Sequence, residues 1–173
     1  MNRNSESGFT LIELLIVVAI ISVIAAIAVP GLLRARMTGN ETSAIASLKV
    51  TTSSQVAYSS ACGNGAYAAT FVILATAPGL VGEGFVSADL GNSATPQKSG
   101  YNFTMAGGAG SSAGPNDCNG TATVTTYYAT ATPLALNTTG SRSFAVNAGN
   151  TIYQLAGATA PTEPFGAPAT PIQ

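Results

Sequence analysis

Gly8-Phe9-Thr10-Leu11-Ile12-Glu13-Leu14-Leu15-Ile16-Val17-Val18 opens an apolar run that continues to Leu33. Glu13 is the only charge between Phe9 and Leu33, and Leu14 to Leu33 carries none. Twenty residues wound as a helix span about 30 Å, the thickness of a bilayer hydrocarbon core. The segment therefore reads as membrane-spanning. A carboxylate inside such a helix costs about 2.5–3.5 kcal/mol on insertion scales, so residues of this kind are normally functional and paired.

Outward from this run the character changes on both sides. Met1 to Gly8 is short and polar, with Arg3 and Glu6 as its charges. After Arg34 and Arg36 the chain passes through Glu41, Ile45, Leu48, Lys49, Thr52 and Val56. Ile45, Leu48 and Thr52 recur at helical spacing, which predicts one mildly apolar face on an otherwise polar helix. A single long helix from Phe9 to about Tyr58 is expected, amphipathic in its second half. Pro30 lacks a backbone donor and Gly31 has low propensity, which predicts a kink or an unwound stretch there. Pro30 reads equally as a tolerated kink or as a hinge used on extraction from the membrane. Gly39-Asn40 is a second soft spot.

Beyond Cys62, short β-prone runs alternate with Gly, Asn and Pro. Tyr101 to Met105, Ala122 to Thr132, Ser143 to Val146 and Thr151 to Leu155 read as strands, the last two joined by a four-residue loop, Asn147-Ala148-Gly149-Asn150. An α+β fold follows: a small antiparallel sheet of three or four strands packed on the polar half of the helix. Gly107 to Gly114 reads as a flexible loop. A tail with Pro161, Pro164, Pro168 and Pro171 reads as extended or disordered. The expected organisation is 1–8 as leader, 9–33 as the apolar half of the helix, 34–60 as its amphipathic half, 61–159 as a β-rich head and 160–173 as the tail.

Only 8% of the 173 residues are charged, against about 25% in ordinary soluble domains, while 46% are hydrophobic. A net charge of −1 gives no field to attract nucleic acid, and a weakly charged surface favours association with copies of itself. The chain has no histidine, which removes the Ser-His and Cys-His nucleophilic pairs and most zinc sites. No catalytic residue, metal or cofactor is expected. Glu83 and Asp89 read as solvated loop carboxylates. Asn116-Asp117-Cys118-Asn119-Gly120 has oxygen ligands near a glycine but lacks the closing glutamate of a calcium loop, so it reads as a turn. Gly107-Gly108-Ala109-Gly110 lacks the lysine and helix of a phosphate loop. Cys62 and Cys118 lie in the half that looks extracytoplasmic and read as one disulfide in preference to two buried thiols. Closing so long a loop is worth roughly 4 kcal/mol in the chain-entropy model.

The segment from Gly8 to Val18 resembles the processing site of type IV prepilins and of the pseudopilins of type II secretion systems. A small residue precedes Phe9, a glutamate follows four residues later, and an uninterrupted apolar helix begins; Pro30 also suits the family. The resemblance covers about the first quarter of the chain. It implies a pilin-like fold and a structural function: a filament subunit polymerised through its N-terminal helix. A prepilin peptidase would cut between Gly8 and Phe9 and methylate the new amine on Phe9. Glu13 would then pair with the Phe9 amine of an adjacent subunit and set axial register. The implied partners are copies of itself or related pilins, the peptidase, an inner-membrane platform with its assembly ATPase, and membrane lipid before assembly. The implied location is a single-pass inner-membrane precursor, N-terminus cytoplasmic, and afterwards an extracellular filament or a periplasmic pseudopilus.

The alternatives share parts of this pattern. A type II secretion pseudopilin has the same processing site, although the Pro-rich tail lacks an acidic cluster for calcium. A minor tip subunit with adhesive or DNA-binding role is a further reading. A secretory signal peptide would also supply an apolar stretch, and Ala26-Ile27-Ala28 resembles its cleavage site, but the weak positive start and Glu13 oppose it. A plain single-pass anchor has no need of Glu13. Arg34 and Arg36 lie beyond the apolar run while Arg3 is opposed by Glu6, so the positive-inside count does not favour the implied orientation, which rests on the resemblance and the cysteines.

Overall fold

Apolar, branched residues with no competing polar side chains wind into the first half of α1, a helix covering Leu11–Ala61 in the computed structural model, which describes residues 8–172. Residues 1–7 of the expected leader lie outside the described residues. The chain divides into two units, Met1–Arg36 and Met37–Gln173. In the first, every described side chain from Gly8 to Arg36 is exposed. The helix runs through Pro30 and Gly31 without a break, so the unwound stretch expected there is absent. Proline removes a single donor, and the flanking Ala, Ile, Val and Leu residues keep the helical backbone on both sides.

In the second unit the buried residues of α1 are Glu41, Ala44, Ser47, Leu48, Thr51, Ser54, Gln55 and Tyr58. They recur at three and four and form one face. This face is rotated from the expected Ile45–Leu48–Thr52 line: Leu48 is shared, Ile45 and Thr52 are only part-buried and Val56 is exposed. Small side chains let the sheet approach closely, and among the described residues no fully buried side-chain nitrogen or oxygen lacks a partner. Thr51 Oγ1 donates to the Ser47 carbonyl at 2.9 Å and Ser54 Oγ to the Phe85 carbonyl at 2.6 Å. Gln55 exchanges two bonds with the Ala68 backbone, at 2.8 and 2.9 Å. Asn40, the expected soft spot, is helical and donates from Nδ2 to the Thr139 carbonyl at 2.9 Å.

Among the described residues the sheet has six antiparallel strands in chain order: β1 Gln97–Lys98, β2 Tyr101–Gly107, β3 Tyr127–Pro133, β4 Arg142–Asn147, β5 Tyr153–Ala156 and β6 Thr170–Pro171. Two short strands thus extend the three or four expected. β3 is shorter than the run Ala122 to Thr132, because Val124 leaves the sheet and bridges to Tyr67 and Ala113 instead. Gly107 to Gly114 is pinned by amides of Gly108 and Gly114 donating to Thr126 and Thr123. Ser99 and Gly100 both have positive φ, the requirement of the tight turn that joins β1 to β2. Gly140 approaches the Tyr101 hydroxyl so closely that a Cβ there would lie 2.0 Å from it.

Tyr101, Phe103, Tyr127, Phe144 and Val146 point from the sheet onto Leu48 and Tyr58 of α1 and onto two short helices, α2 Phe71–Ala75 and α3 Ala88–Gly91, which contribute Phe71, Leu74 and Leu90. Cys62 and Cys118 are bridged, with Cα atoms 4.8 Å apart. Beside them Asp117 accepts from the amides of Asn119 and Thr121 and from the Tyr58 hydroxyl, at 2.9, 2.7 and 2.8 Å. Burial first, then that bond, pushes the Tyr58 phenol well above its ordinary pKa. The Pro-rich tail is ordered against the opposite sheet face. Phe165 stacks on Tyr153 at 4.3 Å, the Tyr128 hydroxyl donates to the Pro161 carbonyl, and Glu163 accepts from the Ala109 amide and Asn147 Nδ2, each at 2.6 Å.

Glu41 ties the start of this part of α1 to β4. It accepts from the Ser141 amide and hydroxyl, both at 2.8 Å, and from Arg142 Nε at 2.9 Å, with Arg142 Nη2 on the same oxygen. Burial acts to raise its pKa, but the bonds from Ser141 and Arg142 together outweigh it and hold the carboxyl below its ordinary value. A depressed folded pKa gives stability that is present above the unfolded pKa, about 4.3, and lost as pH falls through the folded value. Glu41→Gln should therefore lower stability at neutral pH by about 1–2 kcal/mol, discounting Arg142 for solvent screening. Denaturant unfolding of the two chains should show this gap closing below about pH 4.

Candidate assembly site

Helix α1 begins where Thr10 can serve as its cap. The Glu13 amide donates to Thr10 Oγ1 at 3.3 Å, while Glu13 Oε2 accepts from the Thr10 amide at 3.0 Å and from its hydroxyl at 2.5 Å. This reciprocal pair is a capping box, with Thr10 at the N-cap and Glu13 three residues on. Reading the residues alone does not single out Thr10 as a partner of Glu13, although the Thr-x-x-Glu spacing carries that signal. Both bonds from Thr10 fall on Oε2, so Oε1 accepts from neither. A carboxylate has about four acceptor positions, and the group keeps capacity for a further donor. Its negative charge also stands in the first turn, where it complements the positive end of the helix dipole.

Gly8 and Phe9 precede the helix in exposed, non-helical backbone, an accessible position for a scissile bond. Behind Glu13 the helix presents apolar side chains on all sides, with Val23 64% and Ile27 78% exposed. Ser22 donates its hydroxyl back to the Val18 carbonyl at 2.7 Å, which leaves no unsatisfied donor on that side chain. The helix is long and apolar enough to cross a membrane.

The other groups weighed in the sequence do not form a second site. Asp89 pairs with Lys98 at 2.8 Å and with Ser87, not with Glu83. The oxygens of Asp117 are occupied by two amides and a phenol. Among the described residues no group of three or more Cys, Asp or Glu side chains gathers as a metal ligand set.

Residues 3–29 match the family model described as the prokaryotic N-terminal methylation motif. The match concerns the N-terminal segment alone, and it supports the resemblance of that segment to type IV prepilins. The chain is similar to the type IV wide pilus major component PilA4 of Thermus thermophilus, 60% identical over 40 residues. The alignment covers 23% of this chain and 30% of the relative, so the likeness concerns the N-terminal segment alone. No solved structure matches the chain. The long helix followed by an antiparallel sheet is the α+β, pilin-like architecture expected from the residues.

Replacing Thr10 by Val keeps the shape but removes the hydroxyl that both donates to and accepts from Glu13. In detergent micelles this change should speed hydrogen exchange at the amides of Leu11 to Glu13 and leave Ile20 to Ile24 unaltered. Unchanged exchange at the first turn would show that the capping box does not hold it.

Proposed function

We propose that this chain is the structural subunit of a type IV pilus-like filament, cut between Gly8 and Phe9 and methylated on the new Phe9 amine. The observation that carries this reading is the pairing of two features on one helix. An all-round apolar surface from Phe9 to Leu33 needs lipid or neighbouring chains, and Glu13 stands at its head with an oxygen not used by Thr10. Cleavage creates a positive amine at a helix N-terminus, where the dipole disfavours it. A carboxylate from an adjacent subunit offsets that charge and fixes axial register, while apolar contact supplies the adhesion. In lipid two apolar helices gain little by meeting. Outside the bilayer the same surfaces are driven together at about 25 cal/mol per Å².

The name of the Thermus relative, a wide pilus major component, supports a pilin over a pseudopilin. The proposed partners are further copies of the chain, a prepilin peptidase, and an inner-membrane platform with its ATPase. The precursor is read as single-pass, N-terminus cytoplasmic, with the disulfide-bonded unit on the oxidising side.

Intact-mass analysis of the chain from its native membranes should show loss of Met1 to Gly8 and one added methyl group; an uncut N-terminus would refute the processing reading. Glu13→Val should leave membrane insertion intact and reduce incorporation into filaments among wild-type neighbours. Incorporation at the wild-type level, scored by mass spectrometry of sheared filaments, would remove the register role.

A further inference from the structure

Two loops of the second unit expose large apolar side chains, and they sit at opposite ends of its part of α1. Leu80 and Val81, 75% and 81% exposed, lie at the Ala61 end, where the Gly79 amide donates to Asn119 Oδ1 at 2.8 Å beside the Cys62–Cys118 bridge. Leu134 and Leu136, 49% and 43% exposed, lie at the opposite end. There Thr139 accepts from Asn40 and Ser141 donates to Glu41. About 30 Å of helix separates Asn40 from Ala61. Only seven residues of sequence separate Leu33, the last residue of the apolar run, from Asn40, a stretch that can reach no more than about 25 Å in any conformation.

The loop carrying Leu134 and Leu136 is suited to a medium of low polarity. No charged residue occurs from Tyr127 to Ser141. Two charged pairs of the second unit, Arg142 with Glu41 and Lys98 with Asp89, are each closed as ion pairs. Its backbone donors are largely satisfied without water: Leu134 donates to the Gly100 carbonyl, Ala135 to Thr139 Oγ1, Asn137 to the Gly140 carbonyl, and Thr138 and Thr139 to the Ala135 carbonyl. Backbone held in this way tolerates contact with lipid, whereas free amides do not. Two leucines flanked by neutral Asn and Thr have the composition of an interfacial contact, apolar groups with polar neighbours at headgroup depth.

We infer that the Leu134–Leu136 loop rests in the interface of the lipid bilayer before assembly, as a second membrane contact of the subunit. This rests on the reading of residues 14–33 as a bilayer span. The contact is surrendered when the subunit leaves the bilayer.

The chain has no tryptophan, so a single substitution supplies a unique reporter. Leu136→Trp, Leu134→Trp and, as the distant control, Val81→Trp are made in the full chain and reconstituted into vesicles of phosphatidylethanolamine and phosphatidylglycerol. Vesicle flotation is scored on the same samples. Both loop variants should emit at shorter wavelength than Val81→Trp, be quenched by lipids brominated on the acyl chain, and be protected severalfold from iodide. Chains that float but emit from position 136 as from position 81 overturn the inference and leave the bilayer span standing. A blue shift that fades as lipid is added in excess assigns the contact to a second copy and also overturns it. Chains that fail to float overturn the span itself, and the loop contact with it.

Discussion

The side chains from Leu11 to Leu33 surround a helix on every side, and no described residue of the same unit covers them. An apolar surface of this extent has two stable settings, hydrocarbon or the equivalent surface of other chains. The helix therefore needs an apolar environment that the described residues do not supply. The capping box at Thr10 and Glu13 gives this greasy cylinder a defined start, and it keeps one acid at the end where a processed amine would arise. Held by its own threonine, the carboxylate is oriented in the single chain; on the proposed function, less side-chain freedom would be lost when a neighbour's amine binds it.

From Glu41 onward the same helix obeys a different rule. Its inward face is built from Ala44, Ser47, Thr51, Ser54 and Gln55 about one leucine and one tyrosine, and the aromatic bulk comes from the sheet. The interface is closed by matched polar bonds as well as by apolar area, with Glu41 and Arg142 at one end and Tyr58, Asp117 and the disulfide at the other. Such an arrangement specifies register along the helix, because sliding by one turn would leave Gln55 and Glu41 buried without partners.

Much of this is legible in the residues, and what escapes that reading has physical causes. The long helix, the cysteine pair and the α+β order follow from an apolar run, an even cysteine count and alternating patterns in Tyr101 to Met105. The inward face of α1 is misassigned because periodicity scores side-chain greasiness, whereas here small polar residues are buried and satisfied by backbone 13 to 31 positions away. The same blindness hides Arg142, whose role depends on a carboxylate 101 residues earlier. The tail reads as loose because proline cannot extend a central strand. Thr170 and Pro171 instead form an edge strand, where a missing donor is tolerated, and Phe165 supplies the anchoring ring. At the assembly site, Glu13 and the Gly8–Phe9 junction stand out as a charge and a boundary in the wrong surroundings. Thr10 does not, since a threonine at a helix start is ordinary until its bonds are seen.

The strict chain order of the sheet has a consequence for biogenesis. Every strand from β1 to β6 pairs with the one made immediately before or after it. Contact order within the sheet is therefore low, and no late segment must thread between earlier ones. A polypeptide moved across a membrane from its anchored end can add one hairpin after another as it emerges. The edge strand β6 and the Phe165 ring follow the first five strands in chain order. On the proposed function, vectorial delivery and folding would proceed in the same direction.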